Sequence, residues 1–290
     1  MIEYVLGIGD FSISIKSKNI QIHLDEIWNQ YLVAKPLHSN IHIDIQLFDR
    51  NLFVNSILVF QGNDFSNDGK LWEIFQEKDQ YYFFPKDQSK IGCFNFSLTS
   101  PEWKIFLNAD QNSIMPMEYP VGSIVLLYAS LLHGAVMMHS SAIISDDFAY
   151  VFSGVSGIGK STMARIWNEN GYKIINDDRL IISPQAKVCY VYNSPMLYYS
   201  DVPKKAKLKA IFLLKQASKN SIRRLEKFEA ISRIIANTIQ QNFDKEIVAR
   251  IFKIAKQITS LTPVYELGFF PDSKIIPFIH DSIIQSDAEK

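Results

Sequence analysis

The sequence predicts a mixed α/β protein. A β-rich α+β domain over residues 1–118 is followed by a P-loop α/β domain over residues 119–290. Three observations carry this. Residues 154–161, Gly-Val-Ser-Gly-Ile-Gly-Lys-Ser, fit the pattern G-x-x-x-x-G-K-[ST] between an apolar strand-like run and a helical segment. The first 118 residues hold short runs, several with the two-residue period of half-buried strands. The last third carries apolar residues at helical spacing and then one further apolar run.

Taken in order, Phe11–Ile15 and Ile41–Leu47 alternate apolar with polar residues. Ile57–Phe60, Trp72–Phe75, Tyr81–Phe84, Cys93–Leu98 and Trp103–Leu107 read as further strands, and Asp25–Val33 as a short helix. Gly62-Asn63-Asp64 and Asn67-Asp68-Gly69 are expected to be turns. Ile114–Pro120, with two prolines, is the expected connector. Val121–Met138 is nearly long enough to span a membrane, but it contains Ser123, Ser130, His133 and two glycines. It reads as a buried helix. Ser141–Ile144 and Ala149–Phe152 read as two strands joined at a hairpin turn, Asp146-Asp147.

The glycine loop follows the second of these strands. A helix is expected from Ser161 to Glu169, stopped by Asn170-Gly171, and then a strand over Tyr172–Ile175. The helix descends roughly 15 Å at about 1.5 Å per residue. The next strand climbs back at about 3.3 Å per residue, so Asp177 and Asp178 arrive beside the loop.

Each residue type there has a chemical reason. The amides of Gly154, Ser156, Gly157, Ile158 and Gly159 can curl around phosphate oxygens, aided by the helix N-terminus. Lys160 is a mobile cation for the β- and γ-phosphates. The Ser161 hydroxyl suits Mg²⁺, and Thr162 suits the α-phosphate. One aspartate can hold the metal and the other can accept a proton from an attacking hydroxyl. The reading assigns Asp178 to the metal and Asp177 to the proton, and the two can exchange roles.

Beyond this stretch, Val188–Tyr192, Ala210–Leu214 and Val264–Phe269 read as strands. Phe228–Gln240 and Lys245–Ile258 read as helices, with Asp244 as the N-cap of the second. Lys204, Lys205, Lys207 and Lys209 form a basic run expected to be a solvated face, with an acidic substrate or the nucleotide as the alternative. Arg179 is expected either to pair with Asp178 or the surface, or to supply charge to the site.

Thirty basic residues balance thirty acidic ones, so nothing points to nucleic acid or to an acidic tail. Cys93 and Cys189 stand alone, which fits a reduced, cytoplasmic location. No basic start or cleavage pattern marks the first residues as a signal peptide. His23, His38 and His42 lack partners at ligand spacing and read as surface or hydrogen-bonded residues.

The glycine loop 153–162, His139 within Met-Met-His-Ser-Ser-Ala, and Asn-Asp-Asp-Arg at 176–179 resemble the C-terminal catalytic domain of HPr kinase/phosphorylase. They are closer to the HPr-kinase-related proteins found beside peptide-modification genes. Ser194-Pro195, residues 208–215, Asn220 and residues 263–269 fit the later strands of that family, so the resemblance covers about residues 121–275. It implies an HPr kinase / PEP carboxykinase-like fold, ATP and Mg²⁺ as cofactors, and γ-phosphoryl transfer to a serine of a protein or peptide. It also implies that His139 sits near the phosphates and assists, with Asp177 and Lys160 as the other catalytic residues. The N-terminal domain would present substrate or a partner. Two departures stand out. Ser183 stands where the family often has arginine, which removes one possible phosphate contact; and the family's later glycine-rich signature is absent, so HPr itself is not the expected target. The second metal site of a PEP carboxykinase, built from Lys, His and Asp, is not evident either. The rival reading is a nucleotide-binding regulatory or partner module of a peptide-maturation system, without transferase activity.

Overall fold

Alternation in the first third does become sheet. The computed structural model describes residues 2–48, 55–64, 69–86, 90–109, 112–195, 204–241 and 243–288. Among them the chain is mixed α/β and rich in sheet, with six helices. They fall into two units: Met1–His133 with Gln241–Val248, and Gly134–Gln240 with Ala249–Lys290.

The first unit contains β1 (Ile2–Ile8), β2 (Phe11–Ser17), β3 (Gln21–Ile22), α1 (Glu26–Asn29), β4 (Ser39–Leu47) and β5 (Ile57–Asp64). These are followed by β6 (Gly69–Glu77), β7 (Gln80–Pro85), β8 (Ile91–Ser97), β9 (Glu102–Leu107), β10 (Ser113–Ile114) and α2 (Val121–Leu132). Eight strands form one sheet in the order β1-β2-β4-β9-β8-β7-β6-β5, and β3 pairs with β10. On β4, Ile41, Ile43 and Ile45 are buried and His42, Asp44 and Gln46 are half-buried, as a period of two requires. The α1 helix is short because little beyond Trp28 is buried; Asp25 caps it by accepting the Trp28 N–H at 2.9 Å. The aromatic centre stacks Phe96 on Tyr81 and, at 4.1 Å between ring centres, on Tyr128 of α2. The Tyr128 hydroxyl donates to Gln241 at 2.6 Å.

Two expectations fail here for physical reasons. Gly62-Asn63-Asp64 is not a turn but the end of β5, still paired with β6. Gly62 is needed because a Cβ there would lie 2.4 Å from the Trp72 indole. Of the turn expected at Asn67-Asp68-Gly69, residues 67 and 68 lie outside the described residues and Gly69 opens β6, paired with Asp64. The helix from Val121 ends at Leu132, not Met138: Gly134 takes φ +74°, and Val136–Met138 pair with Leu180–Ile182 as strand. Nine of the twelve residues of α2 are buried, so its uniform hydrophobicity fills a core. No helix among the described residues is long and apolar enough to cross a membrane.

The second unit begins with β11 (Val136–Ser145), β12 (Phe148–Ser153), α3 (Lys160–Glu169), β13 (Lys173–Asn176), β14 (Arg179–Gln185) and β15 (Val188–Asn193). It continues with β16 (Lys205–Gln216), β17 (Ser221–Arg224), α4 (Lys227–Asn237), α5 (Lys245–Leu261, from Ala249 onward), β18 (Val264–Phe269) and α6 (Ile275–Ala288). The sheet runs β12-β11-β14-β15-β16-β18-β17, and β12 also pairs with β16, so the hydrogen-bonded path closes on itself. Strands β12, β16 and β18 are parallel, while β11 is antiparallel to β12. Asp146 and Asp147 both take positive φ, +48° and +65°, as the two-residue hairpin turn demands.

Apolar residues of α3 and α6 meet the sheet. Met163, Trp167, Ile275 and Ile279 pack with Phe152, Phe212 and Leu267 in one buried cluster. Sequence patterning had not revealed α6. Pro277 reads as a breaker, yet it occupies the first turn, where an N–H has no intrahelical acceptor to lose. The expected helix 228–240 stops at Asn237, because Thr238 bridges Met138 and the Ile239 N–H donates to the Met137 carbonyl at 2.8 Å. Strand pairing there captures backbone that helical periodicity alone would have kept.

Candidate functional site

The glycine loop leaves β12 at Ser153 and enters α3 at Lys160. Two glycines are dictated by geometry. Gly157 takes φ +77° at the exposed turn of the loop. Gly159 takes φ +114°, and a Cβ there would lie 2.7 Å from the Phe269 ring. The glycine loop is therefore seated against the C-terminal end of β18. No side chain caps α3, so its first N–H groups point into the loop without a side-chain acceptor.

Lys160 is only 6% exposed. Its Nζ donates to the carbonyls of Gly154 at 3.0 Å and Val155 at 3.1 Å. Its carbonyl accepts the buried Ser141 hydroxyl at 3.0 Å. Burial lowers the Lys160 pKa from the ordinary lysine value, and the negative charge of Asp178 opposes that shift.

Strand β13 returns parallel to β12, with β11 between them. Ser153 faces Ser140, Asn176 faces Ala142, and Arg179 faces His139 along β11. Asp177 and Asp178 fall in the break between β13 and β14, level with the root of the glycine loop. The Ser140 N–H donates to the Asp178 carbonyl at 2.9 Å, and the Ser153 hydroxyl donates to the His139 carbonyl at 3.1 Å.

The break has a built support. The buried Asn176 accepts the N–H groups of Asp178 at 2.7 Å and Arg179 at 3.1 Å through its Oδ1. Its amide donates to Asn193 at 2.7 Å. This side-chain-made turn holds the two aspartates outward. Asn176 was read only as part of a motif. Its supporting role shows in three dimensions, because its partner Asn193 lies on another strand. Ser194 adds a hydrogen bond from its hydroxyl to the Arg179 carbonyl at 2.9 Å.

Three predicted residues converge. His139 Nε2 lies 3.4 Å from Asp178 Oδ1, and Arg179 Nε lies 3.4 Å from Asp178 Oδ2. Arg179 thus makes the expected pair with its neighbour. Burial lowers the His139 pKa first, the positive charges of Lys160 and Arg179 lower it further, and Asp178 works against them. The neutral imidazole is the form favoured at neutral pH. Asp177 is half-buried, and its carboxylate has no hydrogen-bond or ion-pair partner among the described residues. Ser156 and Ser161 are exposed, and Thr162, in the first turn of α3, is half-buried.

Arg223 is engaged away from this site: it makes two 2.8 Å contacts with Glu229 and approaches Glu266 at 3.7 Å. The basic run from Lys205 lies on β16, where the exposed Lys205 and Lys207 alternate with the buried Ala206 and Leu208. Among the described residues no group of three or more His, Cys, Asp or Glu is placed to hold a metal.

The donor set suits a polyphosphate with Mg²⁺. Uncapped helix amides, a buried ammonium and a positive-φ glycine turn fit phosphate oxygens. One carboxylate with one hydroxyl fits Mg²⁺, which keeps several waters and takes its other oxygens from phosphate.

No family model matches the chain, and no curated protein sequence matches it. Among solved structures it is similar to the Hpr(Ser) kinase/phosphatase from Coxiella burnetii, at 11% identity and a TM-score of 0.31, over 52% of this chain and 95% of that one.

Proposed function

We propose that this chain is an ATP-dependent kinase that transfers the γ-phosphoryl group to a hydroxyl, a serine of a protein or peptide. The observation that carries the reading is the level register of the glycine loop and the Asp177-Asp178 break on either side of β11. It brings the glycine loop with Lys160 and the Asp177-Asp178 break to the same end of the sheet, which supports a phosphate-handling role.

In this reading Lys160 and the amides of residues 154–162 bind and orient the phosphates. Ser161 and Asp178 hold Mg²⁺, which when bound neutralises phosphate charge. Asp177 accepts the proton of the acceptor hydroxyl as its oxygen forms a bond to the γ-phosphorus and the bond to the ADP oxygen breaks. Neutral His139 donates a hydrogen bond to charge developing on the transferring group. Lys160 exchanges its two loop carbonyls for phosphate oxygens, a stronger charge-assisted contact. The work is positioning and electrostatic stabilisation throughout.

The test is intact-mass spectrometry of serine-containing peptides after incubation with the protein and Mg-ATP. The expected gain is one phosphate on an acceptor, lost in Asp177→Asn. ATP binding with neither phosphopeptide nor ADP formed would favour the nucleotide-binding module without transferase activity.

A further inference from the structure

The basic run on β16 is more ordered than a solvated face needs to be. Lys205, Lys207 and Lys209 take alternate positions, with Ala206, Leu208 and Ala210 buried behind them. Lys207 stands in one cross-strand row between Tyr190 of β15 and Phe148 of β12. The Lys205 ammonium sits 4.0 Å over the Tyr190 ring, and that of Lys209 sits 5.7 Å from the Phe148 ring centre. Lys205 and Lys207 have no carboxylate partner among the described residues. Phe148 is 37% exposed.

We propose that this face of β16, with Tyr190 and Phe148, docks an extended acidic polypeptide segment. Along β16 the Lys205 and Lys207 positions lie about 6.6 Å apart, twice the rise per strand residue and the spacing of same-face side chains in an extended partner, and Lys209 follows at the irregularity in the pairing with β12. The aromatic rings hold the lysine stems in place and offer apolar contact to the partner's own stems. The charge is local: the whole chain carries thirty basic and thirty acidic residues. Asp146 and Asp147 form the hairpin next to Phe148, so a long polyanion such as a polynucleotide meets repulsion where a short acidic segment does not. The face lies at the end of β12 opposite the glycine loop, about 17 Å from it by five strand steps. A partner held here leaves the loop open, and the proposal does not depend on phosphoryl transfer.

Fluorescence anisotropy with the full chain tests it. The probe is a labelled peptide of about 12 residues alternating glutamate and serine, long enough to cover the three lysines at strand spacing. Controls are a lysine–serine peptide and a single-stranded oligothymidine of similar length. The glutamate peptide should bind. Its affinity should fall about tenfold in the triple variant Lys205→Gln/Lys207→Gln/Lys209→Gln, and also between about 0.05 M and about 0.3 M salt. Circular dichroism of the variant should be unchanged, since Ala206, Leu208 and Ala210 supply the burial along this stretch and glutamine keeps the length of each side chain. A second variant, Phe148→Ser with all lysines kept, should weaken binding severalfold without altering its salt dependence. Equal binding by wild type and triple variant, or no binding of the glutamate peptide, overturns the proposal. Tighter binding of the oligothymidine, lost in the triple variant, overturns the assigned partner.

Discussion

The Nε2 atom of His139, on β11, lies 3.4 Å from Oδ1 of Asp178, in the break after β13. The pair exists because β11 runs between the strand that delivers the glycine loop and the strand that ends in the aspartates. It should be visible in solution. The His139 imidazole is expected to titrate below the ordinary value of 6.5, because burial and the charges of Lys160 and Arg179 outweigh Asp178. Asp178→Asn should move the midpoint further down, and Lys160→Met should move it up. Between the folded and unfolded midpoints the unfolded state binds more protons. The stability contributed by neutral His139 is therefore complete above the unfolded value and is lost as pH falls toward the folded one. Imidazole NMR titration checks this, and a midpoint above 6.5 contradicts the assigned balance of charges.

Lys160→Ala removes a buried ammonium whose present partners, the Gly154 and Val155 carbonyls, remain solvable by water. The fold should survive. ATP affinity measured by titration calorimetry should drop at least about tenfold, the size of one charge-assisted hydrogen bond.

Gly159→Ala meets two obstacles together: φ +114° and the Phe269 ring 2.7 Å from the new methyl. The expected cost is about 1–3 kcal/mol in chemical denaturation. Pairing it with Phe269→Ala should recover the steric part and leave the dihedral part. Full recovery would show that the backbone conformation carries no strain for alanine.

Asn176→Ala strands two backbone N–H groups and the Asn193 side chain in a buried position. A loss of about 2–4 kcal/mol is expected. Under conditions where the variant is still folded, phosphate transfer should fall while ATP affinity holds, because the glycine loop does not use Asn176. An equal fall in both would place Asn176 in the general fold instead.

Asp244 accepts the Tyr81 hydroxyl at 3.0 Å, the Gln76 amide at 3.1 Å and the Glu246 N–H at 2.5 Å. Burial pushes its pKa up, but these donors hold it below the ordinary aspartate value. Its contribution to stability is present above the unfolded pKa and is lost as pH falls through the folded one. Asp244→Ala should cost about 1–3 kcal/mol at neutral pH and flatten the acid limb of the stability curve. An unchanged acid limb would remove Asp244 from the acid response.

Sequence alone determined what depends on neighbours along the chain. The alternation in β2 and β4, the Asp244 cap, the two-aspartate hairpin, the glycine stop at Gly171 and the loop 154–161 are local, because backbone preference and side-chain period act over a few residues. Tertiary structure decided whatever rests on a distant partner. Val136–Met138 left an apolar helix for a ladder with Leu180–Ile182, and Gly62 served the Trp72 ring instead of a turn. Asn176 found Asn193 across strands, and His139 found Asp178. Hydrophobic residues state that they will be buried but not against what, and a hydrogen-bonding side chain does not name its acceptor. Those choices are made when the sheet closes and each buried polar group must be satisfied.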